Sequence, residues 1–446
     1  MPAQPIFEHE ITFHTDAAAE VLRAVPTAAG VVALFGHAST DRPFLMQSAN
    51  LRRRLQRLLE PMEGQTKRLN LRTRVARIAW RTTHSELQAL LLLHRANTLV
   101  FGAEGAQKRM RLSPPFTVRY AVENRFPRIY VTNHLRRRSL HTTFGPFASR
   151  LSAERYREAV EELFVIRRCF MELSPSPDDP GCIYGEMRKC MAPCQARCTD
   201  GEYLAEAERT LQFLKTGGAS LAADLERERD RASADMLFEE AAAAHARILK
   251  AKSVAALADD LVRPLDELRL VLLLPHTGGQ ADHPEVQVFV FADGCLRGPE
   301  VVSLLGVRLA KEQTQVGSSL FAQPMMLAAV PLPGESTSEP IGNDVVMEAS
   351  PEERMLAAIA RLQDGSGSPD TNTLGDHLAL LRRWYYRPEK QRSGTAFFHD
   401  GDAWPVRRMV RAAAKLAAPP TPEDAPASPA AVPDTDARQA SIESSL

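Results

Sequence analysis

The chain has 446 residues, its 55 basic side chains equal its 55 acidic ones, and its hydrophobic fraction is 44%. These values are typical of a soluble globular protein, and the length is sufficient for about three domains. The N-terminus lacks the basic start and apolar core of a signal peptide, and the longest apolar run, near 87–93, is too short to span a bilayer. We therefore expect a cytoplasmic protein without membrane association.

The first hundred residues predict a small α/β domain over 20–105. Hydrophobic periodicity predicts a strand at 30–35, a helix at 50–59, a strand at 71–80 and a helix at 85–99. Between residues 51 and 81 there are ten Lys or Arg and two Glu. This basic segment predicts either a solvated face or a surface that binds phosphate groups.

The next segment, 106–200, predicts a linker followed by a cysteine-rich module. A strand is expected at 128–131, a turn at Phe144–Phe147 and an amphipathic helix over 153–171 that ends by delivering Cys169 to a Pro- and Asp-rich loop. Five of the six cysteines lie within thirty residues, at Cys169, Cys182, Cys190, Cys194 and Cys198.

Clustered cysteines in a cytoplasmic protein more often bind metal than form disulfides. Sulfur ligands suit zinc and an iron–sulfur cluster equally, so the spacing does not choose between them. Five unrelated buried thiols are the alternative. The neighbouring Arg188 and Lys189 are expected to lower the pKa of the thiols.

Residues 201–255 predict helices, broken at Gly217-Gly218, with a helical hairpin from Leu221 onward. Residues 262–416 predict a mixed α/β domain of unknown role. Strands are expected at 268–275 and 286–298, with a hairpin turn at Ala292–Gly294, and helices at 351–362 and 377–385. The aromatic and basic end of the last helix could stack on nucleic acid or anchor in the core. The tail, 417–446, is rich in Pro, Ala and Ser and predicts disorder.

The cysteine segment, RRCFMELSPSPDDPGCIYGEMRKCMAPCQ, and the preceding FGPF resemble the UvrC family, the incision subunit of bacterial nucleotide excision repair. The resemblance implies an iron–sulfur cluster, of 4Fe-4S type or with zinc in its place. Cys198 would be a fifth or alternative ligand. The implied ligands are Cys169, Cys182, Cys190 and Cys194.

The segment LFEEAA resembles the UVR motif of the same family, a helical hairpin that pairs with the helicase UvrB. The family's Arg-Asp pair after the alanines is absent, and an ordinary bundle helix is the alternative. The implied partner-binding residues are Phe238, Glu239, Ala241 and Ala242.

In the UvrC family the N-terminal domain is a GIY-YIG nuclease, whose chemistry requires two tyrosines, a lysine, an arginine and a glutamate that holds a divalent metal. Matched to this sequence, those positions carry Val32, Phe44, Gln47, Arg54 and Leu93. Only Arg54 remains, as a vestige of an incomplete site, so no catalytic divalent metal is expected. Glu86 lies about two helical turns before Leu93 and is not expected to substitute.

The resemblance therefore implies an α+β protein with a degenerate GIY-YIG-like domain, a cysteine-rich helical module, a UVR hairpin and a C-terminal mixed α/β region. We expect it to bind DNA and a UvrB-type helicase in nucleotide excision repair without cutting. The alternative is an active GIY-YIG-type endonuclease that makes the incision. The expected DNA-binding residues are Arg52, Arg53, Arg54 and Arg57.

Overall fold

The computed structural model shows an α+β protein with three four-stranded antiparallel sheets and helices packed against them. The fold class predicted from the sequence is confirmed at this level. The expected disordered tail beyond Ala417 lies outside the described residues. The structure describes residues 6–38, 40–60, 69–278, 284–305, 349–364, 369–388, 391–399, 401 and 403–417.

The N-terminal unit is a sheet of order β1-β4-β2-β3 with helices on both faces. Alternate residues of β2 and β3 divide between the faces. Val32 and Met46 pack towards α1 and α2, whereas Ala33 and Leu45 pack towards α3. The elements are β1 (His9–Thr12), α1 (Ala18–Ala24), β2 (Gly30–Phe35), β3 (Phe44–Ser48), α2 (Leu51–Leu59), β4 (Arg77–Thr82) and α3 (Glu86–Met110).

Two predicted boundaries in this unit are wrong. The strand expected over 71–80 begins only at Arg77, because Leu71 and Val75 lie on a turn that buries both in the core beside α2. The helix expected over 85–99 continues to Met110, with a kink at Gly102, whose φ of 73° is non-helical. Burial of Ala106 and Met110 stabilises this extension.

The middle unit combines a second sheet, of order β6-β5-β7-β8, with a layer of helices. One core joins the sheet to α4, α6 and the base of the α7–α8 hairpin. The helical break predicted at Gly217-Gly218 and the hairpin after it are confirmed. The elements are β5 (Thr117–Tyr120), β6 (Ile129–Thr132), β7 (Thr143–Gly145), α4 (Arg150–Glu161), α5 (Ile183–Glu186), α6 (Asp200–Lys215), α7 (Ala219–Ala234), α8 (Phe238–Ala255) and β8 (Arg263–Pro264).

The helix predicted over 153–171 is wrong at its C-terminal end, since α4 ends at Glu161. The following segment is extended and is held by α6. The backbone N–H of Val165 donates to Glu206 (3.0 Å), and that of Arg167 donates to the hydroxyl of Tyr203 (2.8 Å). Ile166 between them is fully buried. Burial of Ile166 and these two hydrogen bonds stabilise an extended chain, so Cys169 stands in a loop.

The C-terminal unit is a sheet of order β11-β10-β9-β12 between two helical layers. Helix α10 packs on one face together with α3 of the N-terminal unit, and α9 and α11 pack on the other. The two-residue turn predicted between β10 and β11 is confirmed, with positive φ at Asp293 and Gly294. The elements are β9 (Leu270–Pro275), β10 (Glu285–Ala292), β11 (Cys295–Ser303), α9 (Pro351–Gln363), α10 (Thr371–Tyr385), β12 (Thr395–Phe398) and α11 (Val406–Ala417).

Helix α10 supports the core interpretation of its aromatic and basic end. Trp384 is only 3% exposed and belongs to the core shared with α3. Within the described ranges, no helix has the length and apolar character needed to cross a bilayer.

Candidate functional site

The four positions that differ from the nuclease motif lie on different faces of the N-terminal sheet. Val32 is fully buried in the core beside α1 and α2, and Phe44 packs against the same core. Gln47 is exposed and lies on the face of β3 opposite to that of Phe44. Together with Leu93 of α3, it lines a cavity. A hydrocarbon side chain occupies three of the positions and an uncharged amide the fourth. These four side chains supply neither a general base nor a carboxylate for a metal.

Glu86 does not replace the missing carboxylate. It lies at the start of α3, where its carboxylate accepts two hydrogen bonds from the guanidinium of Arg387, after α10. This bidentate ion pair links the N-terminal unit to the C-terminal unit. Glu86 therefore has a structural partner in the C-terminal unit.

Helix α2 presents a basic exposed edge. Its N-cap, Asn50, accepts a hydrogen bond from the backbone N–H of Arg53 (2.9 Å), and leucines bury the opposite face. Arg53, Arg54 and Arg57 are exposed.

Arg52 differs from the other three predicted DNA-binding residues. Its guanidinium donates to the carbonyl oxygens of Val25 (2.7 Å) and Arg23 (2.9 Å), at the end of α1. These two hydrogen bonds give Arg52 a role in joining α1 to α2.

After the one-turn helix α5, the cysteine segment is a series of tight turns. Arg188, Ala192 and Ala196 all have positive φ, between 49° and 58°. They alternate with Cys190, Cys194 and Cys198 at a spacing of two residues. A left-handed conformation is unfavourable for residues other than glycine, typically by about 1–2 kcal/mol each. The surrounding structure must compensate for this strain, and nothing in the residue types predicts it.

The four predicted ligands are electrostatic neighbours. Ionised thiolates of Cys169, Cys182 and Cys194 each raise the pKa of Cys190, after the larger effect of burial. All six cysteines of the chain are free thiols. Within the described residues, no three His, Cys, Asp or Glu side chains are grouped closely enough to hold a metal ion. The turns thus bring the thiols near one another without closing them around a single point.

The expectation that basic neighbours lower the thiol pKa values is wrong for Cys190. Burial raises its pKa to about 11, although the backbone N–H of Ala192 donates to Sγ (3.4 Å). Lys189 instead donates to Glu162 (2.8 Å), so its charge is directed away from the thiol. The pKa values of Cys194 and Cys198 are also raised, mainly by burial.

The α7–α8 hairpin is anchored at its base and exposed at its tip. Leu225 of α7 and Ile248 of α8 are buried in the core of the middle unit. At the tip, Met236 is 74% exposed, Leu237 46% and Phe238 70%. Three consecutive exposed apolar side chains are unusual on a helical hairpin and are typical of a contact surface.

The other predicted partner-binding residues adjoin this tip. Glu239 and Ala242 are exposed, and Ala241 is half-buried. Arg247 of α8 pairs with Glu228 of α7 (2.8 Å). This ion pair joins the two helices further along the hairpin and does not involve the residues of the tip. The sequence pattern identified Phe238 but gave no indication that Met236 and Leu237 extend the exposed apolar surface.

Comparison with known proteins gives a match in the middle of the chain. The family model of the UvrC/Cho excinuclease middle domain matches residues 116–213, from the start of β5 through most of α6. This range contains the whole cysteine segment. No solved structure matches the chain.

Curated proteins that resemble the chain carry the name UvrABC system protein C. The one from Rhodospirillum rubrum is 26% identical over 285 residues, which are 61% of this chain and 42% of that protein. The one from Nitrobacter hamburgensis is 26% identical over 66% of this chain and 41% of that protein. The one from Trichlorobacter lovleyi is 29% identical over 50% and 36%, respectively. The chain thus spans less than half the length of these relatives.

Proposed function

The chain belongs to the UvrC family, and from this premise we propose that it binds DNA and docks a UvrB-type helicase in nucleotide excision repair without making the incision. The observation that supports the absence of incision is that four positions of the nuclease motif lack the side chains that catalysis requires. Val32, Phe44 and Leu93 have no polar atom in their side chains, and Gln47 has no charge. Glu86 is paired with Arg387 instead.

The incision assay tests this proposal against the alternative of an active endonuclease. A lesion-containing duplex is incubated with UvrA, UvrB, Mg²⁺ and the full chain, and the products are separated on a denaturing gel. We expect binding without strand cleavage. Specific incision that Arg54→Ala abolishes would establish the endonuclease instead.

The proposed DNA contact is the basic edge of helix α2. Arg53, Arg54 and Arg57 are exposed and lie along one helix, which suits sequence-independent contacts with phosphates. Arg52 is excluded from this part of the proposal because its guanidinium holds the end of α1. Replacing the three arginines with glutamine should reduce the slope of log K against log salt by about 0.9 for each phosphate that is no longer neutralised.

The proposed cofactor is an iron–sulfur cluster on Cys169, Cys182, Cys190 and Cys194. A tetrahedral zinc site with Zn–S bonds of about 2.3 Å requires sulfurs about 3.8 Å apart. A 4Fe-4S cluster binds each thiolate through a different iron, so it accepts sulfurs that are farther apart. Sulfur ligation suits both groups, so it is the resemblance to the UvrC family that favours the cluster over zinc. Bound there, the cluster would supply an electron-transfer centre and would cross-link the turns.

Neutral, buried thiols are compatible with this proposal. Because the pKa of Cys190 is about 11, the thiol is protonated at neutral pH and ionises only when metal compensates for its charge. The left-handed residues between the cysteines would then be stabilised by the cluster. Cys198 lies beyond the set and remains the alternative ligand.

The proposed helicase contact is the apolar tip of the α7–α8 hairpin. Phe238 supplies a large exposed ring, and the small Ala241 and Ala242 allow a second helix to approach closely. The buried base of the hairpin keeps the tip rigid, which limits the entropy cost of binding.

A further inference from the structure

A second cavity, of about 610 Å³, opens in the N-terminal unit beside the loop between β2 and β3. Its other walls come from the turn at residues 71–75 and from the C-terminal part of α3. Phe44, at the start of β3, is a position of the nuclease motif that lines it. The charged residues of its lining are Asp41, Arg42, Arg74, Lys108 and Arg109.

The kink in α3 directs the basic end of this helix to the cavity. The helix changes direction at Gly102, and burial of Ala106 and Met110 holds the part after the kink against the rest of the protein. Lys108 and Arg109 lie in the last turn, and their exposed side chains line the cavity. The position of these two charges is therefore fixed by the packing of the helix that carries them.

The cavity carries an excess of positive charge. Its lining contains four cationic side chains and, among the described residues, one carboxylate, that of Asp41, which leaves an excess of three positive charges. Within the described residues, no ion pair joins any of the four cations to a carboxylate. Asp41 accepts a hydrogen bond from the backbone N–H of Ala38 (3.3 Å), within its own loop. All four cationic side chains are exposed, so an anionic ligand can reach them from solvent.

An aromatic ring holds two of the guanidinium groups. The guanidinium of Arg109 lies over the ring of Phe101, 4.1 Å from its centroid, and that of Arg42 lies 5.8 Å from the same centroid. Nε of Arg109 also donates to Oδ1 of Asn97 (3.1 Å). A cation–π contact uses the face of a guanidinium and leaves N–H groups at its edge available for a phosphate.

The cavity adjoins two surfaces described above. The backbone N–H of Leu71 donates to the carbonyl of Leu58 (2.9 Å), which places this wall beside the end of α2, the helix whose last turn carries Arg57. On the other side, Arg109 also lines the cavity that contains Gln47. Exposed basic side chains therefore continue from α2 along β3, the outer strand of the sheet.

We propose that this cavity binds a single strand of DNA, whose phosphates contact Arg42, Arg74 and Lys108. The choice of DNA rests on the proposed function, and the cavity adds a second contact to that of α2. Exposed cations beside an aromatic ring are the arrangement with which proteins hold the backbone of a single strand. A cavity of this volume admits part of one strand, whereas a duplex, whose major groove alone is about 12 Å wide, would contact only its rim.

Fluorescence anisotropy with the full chain and a labelled oligothymidylate tests the proposal. A variant that combines Arg42→Gln, Arg74→Gln and Lys108→Gln should bind the oligothymidylate at least about tenfold more weakly at low salt. The slope of log K against log salt should fall by about 0.7 for each phosphate of the single strand that is no longer neutralised. Because the three side chains are exposed and make no ion pair within the described residues, the Tm should not change.

A matched control removes the same charge elsewhere. Arg407→Gln, Arg408→Gln and Arg411→Gln together replace three exposed arginines of α11, in the C-terminal unit. This variant should leave the Kd for the oligothymidylate unchanged. Equal weakening in the two triple variants would assign the effect to net charge and would overturn the proposal.

A duplex of the same length and an oligouridylate complete the experiment. The cavity variant should lose more affinity for the single strand than for the duplex. Equal losses for the two, or tighter binding of oligouridylate than of oligothymidylate, would overturn the proposal. If the cavity variant binds the oligothymidylate like the wild type while replacement of the three α2 arginines weakens duplex binding, this inference fails and the proposed function stands. If the wild type binds neither form of DNA, both fail.

Discussion

Nε2 of His94 lies 3.0 Å from Oδ2 of Asp376, and both side chains are almost fully buried. The pair joins α3 of the N-terminal unit to α10 of the C-terminal unit, across 282 positions of the sequence. Together with Glu86 and Arg387, it fixes the two units to each other. This contact bears directly on how the protein unfolds.

Removing one member of this buried pair should weaken the link between the units. We expect Asp376→Ala to cost about 3 kcal/mol, because His94 would remain buried without its partner. Differential scanning calorimetry should show a lower Tm and a transition that separates into two. Glu228→Ala breaks the exposed pair with Arg247 and is the control, with an expected cost below about 1 kcal/mol. Equal effects of the two variants would contradict the prediction.

Glu161, at the end of α4, should make stability depend on pH. Burial raises the pKa of its carboxyl from 4.5 to about 7, and the charges of Arg157 and Arg168 only partly oppose this. The folded state therefore binds the proton more tightly than the unfolded state, so stability decreases as the pH rises from about 4.5 to about 7.

Glu161→Gln should remove this dependence. The variant should gain up to about 3 kcal/mol relative to the wild type at pH 8, and much less at pH 5. Urea denaturation at the two pH values measures the difference. Glu158→Gln, on the exposed side of the same helix, should leave the pH dependence intact. The prediction is wrong if both variants follow the wild-type curve.

The proposed iron–sulfur cluster predicts the iron content and the visible absorption of the protein. Protein purified anaerobically should contain about four irons per chain and absorb visible light. Cys190→Ser should lose both properties, because it removes one of the four proposed ligands. Cys295→Ser, in β11, should change neither, and Cys198→Ser should retain iron unless Cys198 is a ligand. Stoichiometric zinc in place of iron would contradict the cluster.

The hairpin tip should bind the helicase through Phe238. Phe238→Ala should weaken association with UvrB at least about tenfold, in surface plasmon resonance, because it removes the largest apolar side chain of the tip. Since Phe238 is 70% exposed, the Tm should not change. Leu249→Ala, also on α8 and 56% exposed but remote from the tip, is the matched control. A similar loss in both variants would count against a specific contact at the tip.

Local patterns predicted those elements whose apolar residues form a continuous run or recur on one face. Strand β2 and helix α2 have the predicted boundaries within one residue, because Val31–Leu34 are continuously apolar and the leucines of α2 recur on one face. The turn at Asp293-Gly294 was predicted because two positive φ angles require such residues.

Other features depend on contacts that are distant in the sequence. Helix α4 ends early because Tyr203 and Glu206, some 40 residues later, hold the segment around Ile166. The pKa of Cys190 is raised because burial outweighs the nearby Lys189, which pairs with Glu162. The cavity that Arg42 and Lys108 line was not predicted, since its walls come from elements that are distant in the sequence.

The packing of α10 against α3 limits what engineering of the N-terminal unit can achieve. Arg383 of α10 lines the same cavity as Gln47 and Leu93, the two positions that we match to the lysine and the metal-binding glutamate of the nuclease motif. Restoring the two tyrosines, the lysine and the glutamate would place the new lysine and glutamate in a cavity that Arg383 also lines. A design that aims at strand cleavage would therefore have to take account of Arg383 of α10 as well as the four motif positions.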